Sequence, residues 1–348
     1  AFNYADWDHR DELDPVLAKK AIEHFPDLIS YMSFNFYFPA LLAGPTFDFK
    51  YYDDFLSDYH VSETKDRVQT RPNLVAVIYN FVMIFFAFAF FANIDKYPRE
   101  LILNDKATFS AMTFIQKMVF IQVMVTLFRF RYYLVWFIAQ GAFLLSGFGY
   151  DPETKQWNGI RQVDLFGYEL ATAPYYLAGN WNISVHYWLK NYAYLRNKKK
   201  GHAPSTKELF ESFMTSAAWH GFYPGYYIFF FFAGIGVDIG RKARNIFRQY
   251  FYRTEEEYRH GIHGWALLKR PEVMLYNVVG WAIIHTGTNY LGGSFLLLSV
   301  SDTLYYYRET YACFVILIAF LYPTLIWLEP RFKPKRGGPK VHAAKKTD

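Results

Sequence analysis

The chain has 348 residues, 53% of them hydrophobic and 22% aromatic, with a formal charge of +6. A soluble domain carries roughly 45–50% apolar residues, so the excess matters less than its distribution into long apolar blocks separated by charged stretches. Thirty-six Phe and 30 Tyr suit a bilayer, which accepts Phe in its core and Tyr or Trp at its interfaces. The basic residues gather at 196–200, 241–259 and 331–346 beside apolar segments, which argues against a nucleic-acid-binding face and for cytosolic loops facing anionic lipid.

In chain order, the opening "AFNYADWDHRDE" lacks the apolar core of a signal peptide. The chain begins on Ala, so the expectation is that an N-terminal portion of the natural protein is absent. Residues 28–42 form a short apolar block; Pro39 and the Gly44-Pro45 pair beside it predict a broken or re-entrant element. A spanning helix needs roughly 20 mostly apolar residues. Residues 74–94, flanked by Pro72 and Asp95, meet this without an internal charge. Residues 111–128 and 132–148, separated by Arg129 and Arg131, predict either a helical hairpin or one long broken helix. Further crossings are predicted over 213–236, 273–291 and 310–328, giving about six in all. Positive-inside reasoning places the tail and the basic stretches 196–202 and 241–259 in the cytosol. One crossing over 213–236 cannot leave both of its basic flanks on one side. That segment is therefore either re-entrant or followed by a further crossing within 237–271.

The stretch 149–212 is rich in aromatics and predicts interfacial helices. Within 181–196, Trp181, Val185, Trp188 and Tyr192 recur at i, i+4, i+7 and i+11, which predicts one aromatic helical face. The domain reading is a single membrane domain over 1–330 with a basic, flexible cytosolic tail over 331–348.

Three segments carry candidate chemistry. In "SAAWHGFYPGYY" (216–227), His220 lies in an aromatic, apolar stretch with no carboxylate nearby in sequence. An imidazole at membrane depth needs a partner or a task, and neutral histidine is the usual general base near pH 7. Position alone leaves open a structural histidine bonded between helices. In "NWNISVHYWLKNYAYLR" (180–196), the Asn182 carboxamide can orient a carbonyl or an attacking hydroxyl. Alternatively it makes an interhelical contact, or belongs to the glycosylation sequon with Ser184. His186 is a rival base. The third segment, "YFPALLAGPTFDFKYY" (37–52), reads on spacing alone as a helix stop with an interfacial aromatic belt. Cys313, the single cysteine, excludes an intrachain disulfide and a multi-Cys metal site.

Taken together and in this order, the three segments resemble the lysophospholipid branch of the membrane-bound O-acyltransferase family. "FPALLAGPTFDF", "WNISVHYWLKNYAYLR" and "SAAWHGFYPGYY" are similar to that branch's LLAGP, WN and WHG…YPGY segments. "AFNYAD" is similar to its opening FNYxDG, with Trp7 where Gly is expected, and "NGIRQVDLFGYELA" (158–171) is similar to the segment that precedes the family asparagine. The match spans 2–227, and the loops and tail look most like the fungal broad-specificity enzymes.

The resemblance implies an all-α transmembrane helical bundle, with re-entrant and interfacial helices around a buried reaction chamber. It implies transfer of an acyl group from acyl-CoA to the free hydroxyl of a lysophospholipid, with acyl-CoA as substrate and neither metal nor cofactor. Its catalytic Asn and His fall on Asn182 and His220, and His186 then becomes structural. The aromatic neighbours Trp181, Trp219 and Tyr223, with Arg196, Lys198 and Lys199, are the candidate substrate contacts. The basic groups would meet CoA phosphates or lipid, and a solvated loop is the plainer alternative. Lys345 and Lys346, fourth and third from the C-terminus, look like a cytosolic dilysine signal for the endoplasmic reticulum. Sterol, diacylglycerol or protein acceptors, and a transporter with His220 and Asn182 along its path, are the competing readings.

Overall fold

The computed structural model describes residues 2–41, 43–61, 74–150, 157, 159–196, 205–262 and 265–332. Among them every regular element is helical. The principal helices are α1 (Leu28–Asn35), α2 (Phe49–Val61), α3 (Leu74–Phe91), α4 (Phe114–Leu145), α5 (Ile183–Leu189), α6 (Thr206–His220), α7 (Pro224–Phe251), α8 (Pro271–Leu297), α9 (Val300–Glu309) and α10 (Cys313–Leu328). They divide between two compact units: Ala1–Lys96 with Thr126–Leu165 and Ala178–Lys200, and Tyr97–Val125 with Phe166–Leu177 and Gly201–Asp348.

Among the described residues, three helical stretches are long and apolar enough to cross a membrane: Leu74–Lys96, Phe114–Leu145 and Cys313–Arg331. A helix satisfies its own backbone hydrogen bonds, which is why lipid tolerates it. The outward rows of α3 (Val75, Val82, Phe85, Phe88) and of α10 (Ile316, Phe320, Trp327) stay exposed, as lipid-facing rows do. The stretch predicted as a hairpin or a broken helix is instead one continuous 32-residue α4. Arg129, where the break was expected, is buried, with a guanidinium nitrogen 3.2 Å from Thr126 Oγ1. The predicted 273–291 crossing extends to the 27-residue α8. That helix is long enough to span, but Asn277, His285, Thr286, Thr288 and Asn289 keep it less apolar than the other three.

Residues 213–236 do not form one crossing. Helix α6 stops at His220, and Gly221 adopts φ 124°, in the half of backbone space that Gly enters freely. Pro224 then sits in the first turn of α7, where its missing N–H costs nothing. Phe210 meets Phe231 at 5.9 Å and Phe213 meets Phe230 at 6.4 Å. Together α6 and α7 form a tight helical hairpin, which removes the topological conflict between its basic flanks. A Ser205–Glu208 capping box opens α6 and satisfies backbone donors that its first turn leaves unpaired.

In the first unit, Tyr52, Phe143, Phe148 and Ile160 form a buried cluster lined by Phe34, Tyr37, Phe47 and Phe55. It joins α1, α2 and the C-terminal end of α4. The predicted broken element at 28–42 is seen as α1 followed by turns. Helices α3 and α4 are joined by stacked Phe90 and Phe130 at 4.3 Å and by Asn80 Nδ2 donating to the Phe137 carbonyl at 2.9 Å.

In the second unit, Tyr290 and Tyr307 stack at 5.7 Å and 7°, and Tyr306 donates to the Tyr290 carbonyl at 2.8 Å, which fixes α9 on α8. The start of α4 is tied to α9 by Lys117 and Glu309, 2.8 Å apart and mostly buried, with Arg308 3.3 Å from the same carboxylate. Losing one partner of a fully buried pair strands a charge and costs about 3–5 kcal/mol, an upper bound here because Arg308 still faces Glu309. Thermal unfolding of the purified protein in detergent is therefore expected to shift strongly downward for Lys117→Met. The double variant Lys117→Met with Glu309→Leu recovers most of the loss.

Candidate active site

The second unit presents His220 at the reversal between α6 and α7. Its imidazole is half-buried among Trp219 (4.7 Å, edge-on), Tyr226 (5.5 Å), Phe230 (5.2 Å, stacked) and Phe295 (5.1 Å, edge-on). Among the described residues no group hydrogen-bonds it. The ring orientation is therefore set by packing, and both nitrogens remain available. Phe222, Tyr223 and Trp219 are exposed around the corner, giving it an apolar, aromatic mouth.

Chain contacts, not side chains, set the position of this corner. The Gly225 N–H donates to the Leu298 carbonyl at 2.7 Å, seating the start of α7 on the end of α8. A Cβ at Gly225 would lie 2.8 Å from Leu298 Cα, inside the α8 terminus. That contact explains why Gly follows Pro in "YPGYY". Phe295, one turn before Leu298, then faces the imidazole. Composition and spacing single out neither Phe295 nor the Gly225 contact, because Phe295 lies in an unremarkable apolar run.

The first unit presents Asn182 in the left-handed region, φ 43° and ψ 57°. Asn enters this region more readily than most non-Gly residues, usually through a local side-chain hydrogen bond. Here the carboxamide makes no cap hydrogen bond. Trp181 is lodged against Tyr132, Tyr133 and Trp136 of α4 at 5.7, 5.5 and 4.8 Å. It lies before α5 rather than on it, so the predicted continuous face over Trp181, Val185, Trp188 and Tyr192 is not formed. Helix α5 spans only Ile183–Leu189 and passes into a π-helix over Lys190–Tyr194. The wider turn changes the register, although Trp188 and Tyr192 still touch at 5.9 Å.

Tyr192 brings the N-terminal and 37–52 segments together. Its hydroxyl reaches Asp48 Oδ1 at 2.5 Å and Asn3 Oδ1 at 2.8 Å, and burial followed by the Asp48 charge raises its pKa. Lys20 pairs with the same Asp48. Arg196 forms a two-pronged pair with buried Asp6, so its guanidinium holds "FNYAD" against the end of the π-helix. Burial and then the Lys190 charge keep His186 below the ordinary histidine range, hence neutral at pH 7. Lys198, Lys199, Lys345 and Lys346 lie outside the described residues. An open cleft of about 780 Å³ lies beside α5, with Ile183, Ser184 and Trp188 on one wall and Lys19, Lys20 and Arg161 among its basic groups. Asn182 belongs to the first unit and His220 to the second.

This is a helical membrane protein in which, among the described residues, no group hydrogen-bonds the imidazole at the hairpin corner and no cap hydrogen bond engages the carboxamide in the fixed turn. The chain belongs to the membrane-bound O-acyltransferase family, whose model matches residues 4–267. It is 27% identical to a lysophospholipid acyltransferase of Schizosaccharomyces pombe, over 95% of this chain and 64% of that one. It is 27% identical to a lysophospholipid acyltransferase of Saccharomyces cerevisiae, over 86% of this chain and 50% of that one. With the human membrane-bound glycerophospholipid O-acyltransferase 2 it shares 28% identity, over 88% of this chain and 58% of that one. The chain thus spans about half to two-thirds of the length of these relatives.

The Gly225 contact gives a direct test. Gly225→Ala forces the α7 start off the α8 terminus, and overpacking of this kind costs about 1–3 kcal/mol. The expected outcome is folded protein of lowered melting temperature in which ethoxycarbonylation of His220 by diethylpyrocarbonate changes in rate. An unchanged rate contradicts the seating of His220 by this contact.

Proposed function

We propose that this chain transfers a fatty acyl group from acyl-CoA to the free hydroxyl of a lysophospholipid, in the endoplasmic reticulum membrane. The observation that carries the reading is His220, an imidazole held in an aromatic cage with no hydrogen-bonding partner among the described residues. A structural histidine in apolar surroundings would be bonded, because a buried polar group without a partner is costly. An imidazole kept uncommitted is available to move a proton. Membership of the family and the names of the fungal relatives support the choice of reaction.

The glycerol hydroxyl is too weak an acid to attack unaided. His220 takes its proton as the oxygen attacks the thioester carbonyl. Asn182 holds the hydroxyl or the developing oxyanion. The C–S bond then breaks, an ester forms, and the proton returns to the leaving CoA thiolate. No acyl-enzyme is needed, and Cys313, at the start of α10, has no part in the chemistry. The apolar mouth formed by Trp219 and Tyr223 suits an acyl chain, and the Trp181 side chain supports the Asn182 turn from behind. Anionic phosphates of CoA would be met by basic groups near α5. Arg196 is already engaged with Asp6 and Arg161 with Asp164, so the weight falls on Lys198, Lys199 and Lys19 on the rim of the cleft. A dry chamber strengthens these interactions and protects the thioester from water. The Lys345–Lys346 pair would act as the retrieval signal for the endoplasmic reticulum.

The test gives the purified chain labelled acyl-CoA and a panel of lysophospholipids, diacylglycerol and sterol. Label is expected in phospholipid. His220→Ala is expected to lower transfer by at least about 10²-fold without unfolding, and Cys313→Ala to leave it within about twofold, because no covalent step is assigned to it. Label found only in triacylglycerol or sterol ester would reassign the acceptor. Transfer that persists in His220→Ala would remove that residue from the mechanism.

A further inference from the structure

We propose that Gln162 is a positioning residue for Asn182, holding the left-handed turn that aims its carboxamide. The inference rests on the reading of Asn182 as a participant in acyl transfer. A non-Gly residue in a sparsely populated backbone region is strained and persists only where its surroundings over-determine it. Asn182 supplies no cap hydrogen bond of its own, so the constraint must come from its neighbours, and Gln162 gathers most of it.

The Ile183 N–H donates to the Gln162 backbone carbonyl at 2.7 Å. The Ser184 hydroxyl donates to Gln162 Oε1 at 2.8 Å and itself accepts from the Thr46 N–H at 3.2 Å. Gln162 Nε2 donates to the Ala43 carbonyl at 3.4 Å. On the other side of the turn, the Asp164 N–H donates to the Asn180 carbonyl at 3.1 Å. Residues 180, 183 and 184 are thus each tied to the strip 162–164, and Trp181 is fixed by its ring contacts on α4. Only the side-chain torsions of Asn182 are left free.

Gln162 is 1% exposed, so its amide cannot exchange these partners for water. The "LAGP" loop closes the arrangement from behind. Gly44 has φ 76°, and a Cβ there would sit 2.9 Å from Gln162 Nε2, so any other residue would push the amide out of place. This gives "LAGP" and "RQVD" a shared task, although neither contains a group that reacts. Removing the Gln162 side chain leaves the Ser184 hydroxyl and the Ala43 carbonyl without these partners and lets the turn relax.

The experiment measures kcat, KM for both substrates and thermal unfolding on the full chain for Gln162→Ala, Ser184→Ala and Ser184→Thr. Gln162→Ala is then repeated in the Asn182→Ala background, with residual transfer read by label accumulation. Misplacement of a reacting group by about 1 Å can cost about 10²-fold, so kcat is expected to fall about 10- to 100-fold in Gln162→Ala with KM within about threefold. Ser184→Ala falls in the same direction, and Ser184→Thr, which keeps the hydroxyl, recovers. In the Asn182→Ala background Gln162→Ala has no further effect, because residues acting through one another are not additive. Unchanged kcat in folded Gln162→Ala, or an equal fold-loss in both backgrounds, overturns the proposal. Should Gln162→Ala not fold, the Ser184 pair decides it: equal kcat in Ser184→Ala and Ser184→Thr overturns it. Wild-type transfer by Asn182→Ala alone would instead refute the role of Asn182, a separate failure.

Discussion

The proposed chemistry depends on one imidazole, His220, that sits in apolar surroundings with no hydrogen-bonding partner among the described residues. Burying a polar group without a hydrogen bond costs free energy, so the fold must hold His220 there by other means. It does so with rings and backbone. Four aromatic side chains fix the imidazole plane, and the Gly225 N–H anchors the corner on the end of α8. The end of α8 is itself held by α9 through the stacked Tyr290 and Tyr307. None of these contacts offers the imidazole a hydrogen bond.

The same logic applies to Asn182 in the first unit. The polar groups around its turn are all used on one another: Gln162 with Ser184 and Ala43, Tyr192 with Asp48 and Asn3, Arg196 with Asp6. The carboxamide of Asn182 stands apart from these networks. Three sequence segments far apart along the chain, "FNYAD", "LAGP" and "WN", turn out to be parts of one support. Most of the residues that resemble family signatures are engaged with one another, whereas among the described residues no group hydrogen-bonds the His220 imidazole and no cap hydrogen bond engages the Asn182 carboxamide.

Much of this was legible in the sequence. Apolar runs gave the crossing at 74–94 and located α4 and α10, because lipid imposes a length requirement that composition satisfies visibly. His220 and Asn182 stood out as polar groups in aromatic stretches, and the motif resemblance added their roles. Three features were not legible. Arg129 and Arg131 resembled a break because charge is visible in sequence while the Thr126 partner and burial that accommodate Arg129 are not. The aromatic period over 181–196 resembled one helix because a π-turn leaves no mark on spacing. Over residues 213–236 the sequence allows either a re-entrant segment or a crossing followed by another, although Gly221 and Pro224 mark the corner, because hydropathy averages over such punctuation. Gln162 and Phe295 carry no local signal at all, since their partners are distant in sequence.

The central claim is that His220 and Asn182 promote direct attack of a lipid hydroxyl on a thioester. The most direct measurement is simultaneous quantification of CoA thiol released and phospholipid formed during turnover. The account predicts one thiol per new ester in the native protein, and loss of both signals together in His220→Ala and Asn182→Ala. Thiol release that continues without ester formation in the native protein, or ester formation that survives loss of His220, would contradict it.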